Sequence, residues 1–304
     1  MSELFINGMD LEPELVRLKE LVNKHLDSYL PPIKEEPERL HEAMRYSVFA
    51  GGKRMRPILT LMAAQAVGAD PRPLVGPACA VELFHTYTLI HDDLPCMDDD
   101  DLRRGKPSCH KVFGESLALL AGDALQSAAF DMLIKKGREA NLDAGAMLKV
   151  TQELAQAAGS LGVVAGQVQD LDAEGRDISI DELQNIHRQK TGELFVYAVR
   201  AGAILGGASD EDLEKITGFG EYFGLLFQIT DDILDVVGDE QKLGKPIGSD
   251  AEKKKATYPQ MLTLDGAWKI AEETASGACD FLTGLSGDCA PLYSLSALLL
   301  SRES

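Results

Sequence analysis

Positive charge is scarce in this sequence: 30 Lys and Arg stand against 49 Asp and Glu, a formal net charge of −19. Nucleic acid is therefore excluded as a natural partner, because phosphate backbones are held by basic surfaces. An anionic membrane surface is excluded on the same ground. An anionic substrate would require the protein to reverse its own sign locally, with metal ions or clustered Lys and Arg. Cysteines number five (Cys79, Cys96, Cys109, Cys279 and Cys289), scattered and without CxxC or Cys/His spacing. Neither a zinc site nor a disulfide framework is supported, and a reducing, cytoplasmic compartment is the simplest expectation. The opening "MSELFINGMD" has no basic region followed by an apolar run, so no secretory signal is expected there. No apolar stretch is expected to reach membrane-spanning length, so no membrane anchor is expected either. Aromatics are few, at 6%, and runs of alternating Val, Ile and Thr between hairpin turns are missing.

The sequence does contain helical periodicity. Apolar residues make up 45%, enough for a sizeable core, and Ala, Leu and Gly are plentiful. Leu11, Leu15, Leu18, Leu21, Val22 and Leu26 form a helical stripe over 11–30, broken at "PPIKEEP". A second helix is expected over 37–50, stopped by Gly51 and Gly52, and a third with Pro57 in its first turn. Residues 77–94 read as a buried helix, and others are expected at 115–136, 143–170, 181–206, 211–238 and 265–285. The expected fold is an all-α single domain over residues 1–304.

Two acid clusters stand out. In "LIHDDLPCMDDDDLRRGKP" six aspartates lie between Asp92 and Asp101, with Arg103 and Arg104 directly after. His85, Thr88 and Asp92 share a helical face. Pro95 disfavours a helical conformation at Leu94, so the helix is expected to end there and let Asp98 fold back beside Asp92. In "FQITDDILDVVGD", Asp231 and Asp235 are four apart and share one face. The same spacing runs back through Phe227, Phe223 and Phe219, as expected for the wall of a cavity with a charged rim. Oxygen-only carboxylate clusters suit hard cations such as Mg²⁺. One acid cluster alone reads equally well as solvated surface. Two, both beginning Asp-Asp and both attached to apolar helices, favour metal, and the spacing is not that of an EF-hand.

The scarce cations are grouped. "GGKRMRP" sets Lys53 and Arg56 beside a helix N-terminus, where free N–H groups favour phosphate. "QKTGELF" supplies Lys190 and Thr191, and "LGKPIGSD" supplies Lys245 near Asp250. No GxxxxGK[ST] loop is present. Two anion sites are expected, one bridged by Mg²⁺ and one made directly of Lys and Arg. A lone His on an apolar helix usually packs in the core, but His85 lies two turns below Asp92 on its face, which favours contact with substrate.

With these residues assembled, the chain resembles the trans-prenyltransferases, or polyprenyl synthetases. "DDLPCMD" with "RRG", "DDILD" preceded by Gln228, "GGKRMRP", "KTGELF" and "GKPIGSD…KKATYP" follow the family's motifs in order. The resemblance implies antiparallel helices around a deep central cavity (the isoprenoid synthase fold), usually in a homodimer. It implies condensation of an allylic diphosphate with isopentenyl diphosphate, assisted by Mg²⁺, three ions per site. By this resemblance Asp92 and Asp98 bind metal from one side and Asp231 from the other, with Asp235 supporting. Arg103, Lys190, Thr191, Gln228 and Lys245 would contact the allylic substrate. Lys53, Arg56, His85 and Arg104 would hold isopentenyl diphosphate. The allylic C–O bond then ionises, the Thr191 hydroxyl and Gln228 carbonyl stabilise the cation, the second substrate adds, and a proton is lost to the released diphosphate.

Tyr87 lies five residues before Asp92, about 7.5 Å lower along a helix. A ring there can act as a floor under the growing chain, or else pack in the core or at a dimer interface. With a first motif longer by two residues, it resembles bacterial farnesyl diphosphate synthases; "LPCMDDDDLRRGKP" also resembles geranylgeranyl synthases. Three other readings compete. A terpene cyclase needs no second diphosphate site and leaves Lys53, Arg56 and His85 unexplained. Non-catalytic partner subunits usually lose acids from one cluster. A generic Mg²⁺ or Ca²⁺ binder does not explain the ordered basic motifs.

Overall fold

The computed structural model describes residues 11–238 and 256–301. Lys245 and Asp250 lie outside the described residues, so the "GKPIGSD" expectation has no structural account. Helix α1, Glu12–Tyr29, buries Leu18, Val22 and Leu26, the stripe visible in the sequence. It is followed by α2, Glu38–Val48, and α3, Met55–Ala66. The short α4, Val75–Ala78, leads through Cys79 into α5, Ala80–Asp92. Two residue pairs, β1 Leu102–Arg103 and β2 Lys106–Pro107, form a small antiparallel hairpin. Then come α6, Cys109–Phe113, and the long α7, Glu115–Glu139. Next are α8, Ala144–Ala158, α9, Val163–Ala173, and α10, Ile180–His187. A π-helical turn, Arg188–Gly192, joins α10 to α11, Glu193–Leu205. Helix α12, Asp210–Val237, is the longest described. The chain closes with α13, Tyr258–Leu262, α14, Leu264–Phe281, and α15, Ala290–Ser301.

The core forms where α11 packs against α3 and α12, α12 against α14, and α5 against α7. Side-chain caps set several helix starts. Asp143 accepts from Ala146 N at 2.8 Å, Ser179 from Glu182 N at 3.2 Å and Ser209 from Asp212 N at 3.1 Å. Each cap contributes about 1 kcal/mol by satisfying a donor the helix leaves open.

Several expectations are corrected here. The single helix expected over 143–170 is two, α8 and α9, because the chain turns at Gly159–Gly162 and a side chain at Gly162 would collide with the backbone of Ala157. The helix expected over 181–206 is interrupted by the π turn. Helix α15 gives no periodic signal because its apolar residues run almost without a polar face.

The expectation that no apolar stretch reaches membrane-spanning length is corrected, while no membrane anchor is evident among the described residues. Helix α7 is long and apolar enough to cross a membrane by length and composition, although 39% of its most apolar window is buried within the protein. One side of it packs against α5. The other carries Leu119 and Leu120, 45% and 54% exposed.

Candidate active site

The first acid wall is made by the end of α5. The backbone N–H of Asp98 donates to the Asp92 carbonyl at 2.8 Å, and Met97 N donates to the Leu94 carbonyl at 2.9 Å. The helix therefore stops at Asp92 and the chain curls back, as Pro95 dictates. Burial raises the Asp92 carboxyl to about 6; Lys190 opposes that rise and Asp98 adds to it. A carboxylate this short of compensating charge favours a bound cation. Its neighbour Asp93 is buried and accepts from Arg103 Nε at 2.8 Å, and Arg103 also reaches Asp100 at 3.1 Å.

The second wall is the C-terminal end of α12. Asp231 is half-buried and faces a cavity of about 120 Å³ lined also by Asp170, His187, Lys190, Thr191, Gln228 and Asp232. Asp235, one turn on, is buried. Asp232 is buried and accepts from Gln228 Nε2 at 3.0 Å and from the Tyr258 backbone N–H at 3.1 Å.

Lys190 links the walls. It lines the cavity with Asp231, and its charge lowers the Asp92 carboxyl. The π turn carries both Lys190 and Thr191, a backbone irregularity often found at functional sites. Glycine makes this packing possible. A side chain at Gly166 of α9 would collide with the Lys190 backbone, and a Cβ on Gly224 of α12 would lie 3.0 Å from the Gly192 Cα.

The basic set converges beside α3 and α5. Arg56 is buried, its guanidinium 4.4 Å from the Phe195 ring centroid, and its Nε has no hydrogen-bond partner among the described residues. Burial lowers it to about 10, Glu82 acting against this and Arg104 with it. Arg104 donates to the Gly51 carbonyl at 2.6 Å. It is aimed there by the two-residue hairpin turn, where Arg104 and Gly105 have φ of 55° and 75°. A side chain at Gly52 would strike that guanidinium. His85 is held well below the usual histidine range, first by burial and then by Arg56, Arg104, Arg103 and Arg54. Neutral imidazole among cations, with a guanidinium edge unsatisfied, fits an anion yet to arrive. Lys53 is exposed at the same corner. Arg54 serves the core instead, forming a buried ion pair with Glu82 at 2.8 Å and donating to Asn23 at 2.8 Å.

The aromatic stripe is corrected in part. Phe219 and Phe223 are fully buried, in contact with each other, and Phe223 meets the Phe195 ring edge-on, so they fill core. Phe227 remains partly exposed and lies 4.9 Å from Phe195. Tyr87 is buried, edge-on to Phe84 at 4.7 Å and to His91 at 5.1 Å.

Three residues of this site are not among those expected from the sequence. Asp170 accepts from Lys190 Nζ at 2.6 Å. His187 lies 5.7 Å from the Tyr258 ring and is lowered to about 4, chiefly by burial. Asp232 falls outside the four-residue spacing that singles out Asp231 and Asp235. "GQVQDLD" carries a signal for Asp170, a Gly before an acid on a helix, but no pattern ties it to Lys190.

The comparisons with known proteins decide the family. Residues 37–276 match the Polyprenyl synthetase family. The chain belongs to the polyprenyl synthetases. This synthetase is 44% identical over 295 residues to a farnesyl diphosphate synthase of Geobacillus stearothermophilus, covering 97% of this chain and 99% of the relative. It is 45% identical to a heterodimeric geranylgeranyl pyrophosphate synthase large subunit from Arabidopsis thaliana, covering 98% of this chain and 81% of that one. A crystal structure of geranylgeranyl pyrophosphate synthetase from Pyrococcus horikoshii Ot3 matches with a TM-score of 0.86 at 32% identity, over 97% of this chain and all 100% of that one. The synthetase has the isoprenoid synthase fold, acts on diphosphate substrates as a trans-prenyl diphosphate synthase, and belongs to a family that uses Mg²⁺.

The donor set fits that metal. Asp92, Asp98, Asp231 and Asp235 offer only oxygen, the chemistry Mg²⁺ requires. Among the described residues no three acid, His or Cys side chains converge closely enough to cage an ion alone.

Proposed function

We propose that the synthetase condenses isopentenyl diphosphate with dimethylallyl and then geranyl diphosphate, and stops at farnesyl diphosphate. Tyr87 carries this reading: a buried ring five residues before Asp92, on the helix that would flank the growing chain. A specific observation favours a second reading as a geranylgeranyl synthase. The relatives include enzymes of both names at nearly equal identity, 44% and 45%. The product formed from dimethylallyl and isopentenyl diphosphates with Mg²⁺, read by chromatography, tests the assignment. A predominantly twenty-carbon product would contradict it.

In this reading Asp92, Asp98 and Asp231, supported by Asp235, would hold Mg²⁺, three ions per site. Bound Mg²⁺ would neutralise charge on the leaving group. Arg103 and Lys190 bind that diphosphate directly, with Lys245 beyond the described residues serving the same end. The Thr191 hydroxyl and Gln228 carbonyl present dipoles to the allylic cation as the C–O bond breaks. Arg56, Arg104, His85 and Lys53 hold isopentenyl diphosphate so that its double bond lies beside that cation. The released diphosphate takes the final proton. A terpene cyclase would have no use for the second anion site, and a non-catalytic partner would not need both acid walls.

A homodimer belongs to the same proposal. Leu148 and Leu161 are 72% and 85% exposed, and with Leu119, Leu120, Val164 and Val168 they give α7, α8, α9 and the turn between α8 and α9 apolar side chains in water. A second copy covering them is the expected state. Sedimentation as a monomer at micromolar concentration would contradict it. Cytoplasmic location is also part of this reading, supported by the free thiols of all five cysteines.

A further inference from the structure

Each acid cluster begins with two adjacent aspartates, and the structure gives the two members different surroundings. The first of each pair, Asp92 and Asp231, is half-buried, and Asp231 lines the cavity. The second of each pair is almost fully buried, Asp93 at 2% and Asp232 at 3% exposure. Each second aspartate holds a polar side chain of the site: Asp93 holds Arg103, and Asp232 holds Gln228 at 3.0 Å.

We propose that Asp232 is a positioning residue that fixes which end of the Gln228 amide faces the chamber. This rests on the reading above, in which Gln228 presents its carbonyl to an allylic cation. The geometry reduces to donors and acceptors. A carboxylate oxygen accepts hydrogen bonds, and both Asp232 oxygens do so here. One Asp232 oxygen receives the Tyr258 backbone N–H at 3.1 Å, and the other faces Gln228. Gln228 can satisfy that oxygen only with its NH₂ group, so its carbonyl oxygen is the end left for the chamber. Turned the other way, the amide would aim N–H groups at a developing cation and oppose it. Gln228 and Asp232 both line the cavity that holds Lys190 and Thr191, so the dipole is at the right place to matter.

The substitution Asp232→Asn tests this with little change of shape. The Tyr258 N–H still requires an acceptor, so the new amide must put its oxygen on that side. Its NH₂ then faces Gln228, which must rotate to offer its own oxygen and turn its NH₂ into the chamber. The expected result is a fall in kcat of about 10²-fold, the scale on which one misdirected dipole acts at a charged transition state. KM for isopentenyl diphosphate and the Mg²⁺ concentration for half-activity should stay within about twofold, as a positioning role requires.

The double variant Asp232→Asn/Gln228→Glu restores an acceptor opposite the new NH₂ and keeps an oxygen toward the chamber. It should recover at least about tenfold of the loss. Asp231→Asn serves as the metal-ligand control, with a raised Mg²⁺ requirement and weaker Mg²⁺-dependent binding of inorganic pyrophosphate by calorimetry. If Asp232→Asn raises the Mg²⁺ requirement and weakens pyrophosphate binding as the control does, with no recovery in the double variant, Asp232 is a metal ligand and the proposal is overturned. Unchanged kcat in Asp232→Asn overturns it as well. Should the variant fail to fold, the wild-type Gln228 side-chain amide signals answer the same question. Protons protected from solvent exchange agree with the bond to Asp232, and free exchange contradicts it. Condensation by the wild-type chain, run in parallel, tests the reading beneath the proposal separately from the variants.

Discussion

Lys190 Nζ lies 2.6 Å from Asp170 Oδ2, joining the π turn to α9 while the lysine's charge acts on Asp92. The contact holds a flexible side chain in one direction before any substrate binds. A charge-assisted hydrogen bond of this kind is worth about 1.5–3 kcal/mol. Asp170→Asn should therefore lower kcat/KM by about tenfold or somewhat more. Because Asp170 acts through Lys190, adding Asp170→Asn to Lys190→Ala should cost nothing further. Additive losses would show that Asp170 has a separate role.

Arg56 stacks on Phe195 and keeps an unsatisfied Nε, so its fork is poised for a phosphate group. Lysine keeps the charge but loses the planar fork and the stacking. Arg56→Lys should raise KM for isopentenyl diphosphate by about tenfold while leaving KM for the allylic substrate within about twofold. An equal rise for both substrates would detach Arg56 from the second anion site.

Tyr87 fills space between Phe84 and His91. Tyr87→Ala removes that ring and opens a void of side-chain size. It should shift the product from fifteen carbons to longer chains, read by chromatography, at a stability cost of about 3–5 kcal/mol. An unchanged product in a folded variant would take Tyr87 out of the control of chain length.

Acid should first destabilise the metal-free protein, with a sign set by its buried histidines. His85 and His187 have folded pKa values below the usual 6.5, so the unfolded chain binds their protons first and stability falls as pH drops through about 6.5. Asp92, raised to about 6, acts in the opposite direction as pH falls below that value, and Asp93 and Glu193, raised by burial, act with it. The loss is therefore read above the range in which these carboxyls titrate. Denaturant titrations at pH 7.5, 6.5 and 6 check this, and a midpoint that rises toward pH 6 would contradict it.

Much of this is legible in the sequence, and the reason differs from residue to residue. The end of α5 can be read because Pro95 acts through local sterics, and Asp98 does fold back to Asp92. Helices α1, α2, α3, α7, α12 and α14 can be read because apolar spacing and end signals agree. The split of α8 from α9 and the π turn at Lys190 cannot, because they arise where glycines let separate segments touch. The same holds for the Asp170–Lys190 and Asp232–Tyr258 contacts, which are set by tertiary packing. Arg54 and Arg56 sit two apart in one motif, yet one is spent on Glu82 and the other stacks on Phe195. The phenylalanine stripe reads as open wall along its length. Its spacing sets a face, but packing decides that Phe219 and Phe223 belong to the core.

The central claim is that Asp92 with Asp98, and Asp231 across from them, share divalent cations through one bound diphosphate. Crystals grown with Mn²⁺ and an unreactive allylic diphosphate analogue test it directly, because anomalous scattering locates each ion. The account predicts metal within about 2.0–2.4 Å of carboxylate oxygens on both α5 and α12, with analogue phosphate oxygens between them. A diphosphate seated on Arg56 and Arg104 alone, with no metal near Asp92 or Asp231, would contradict it.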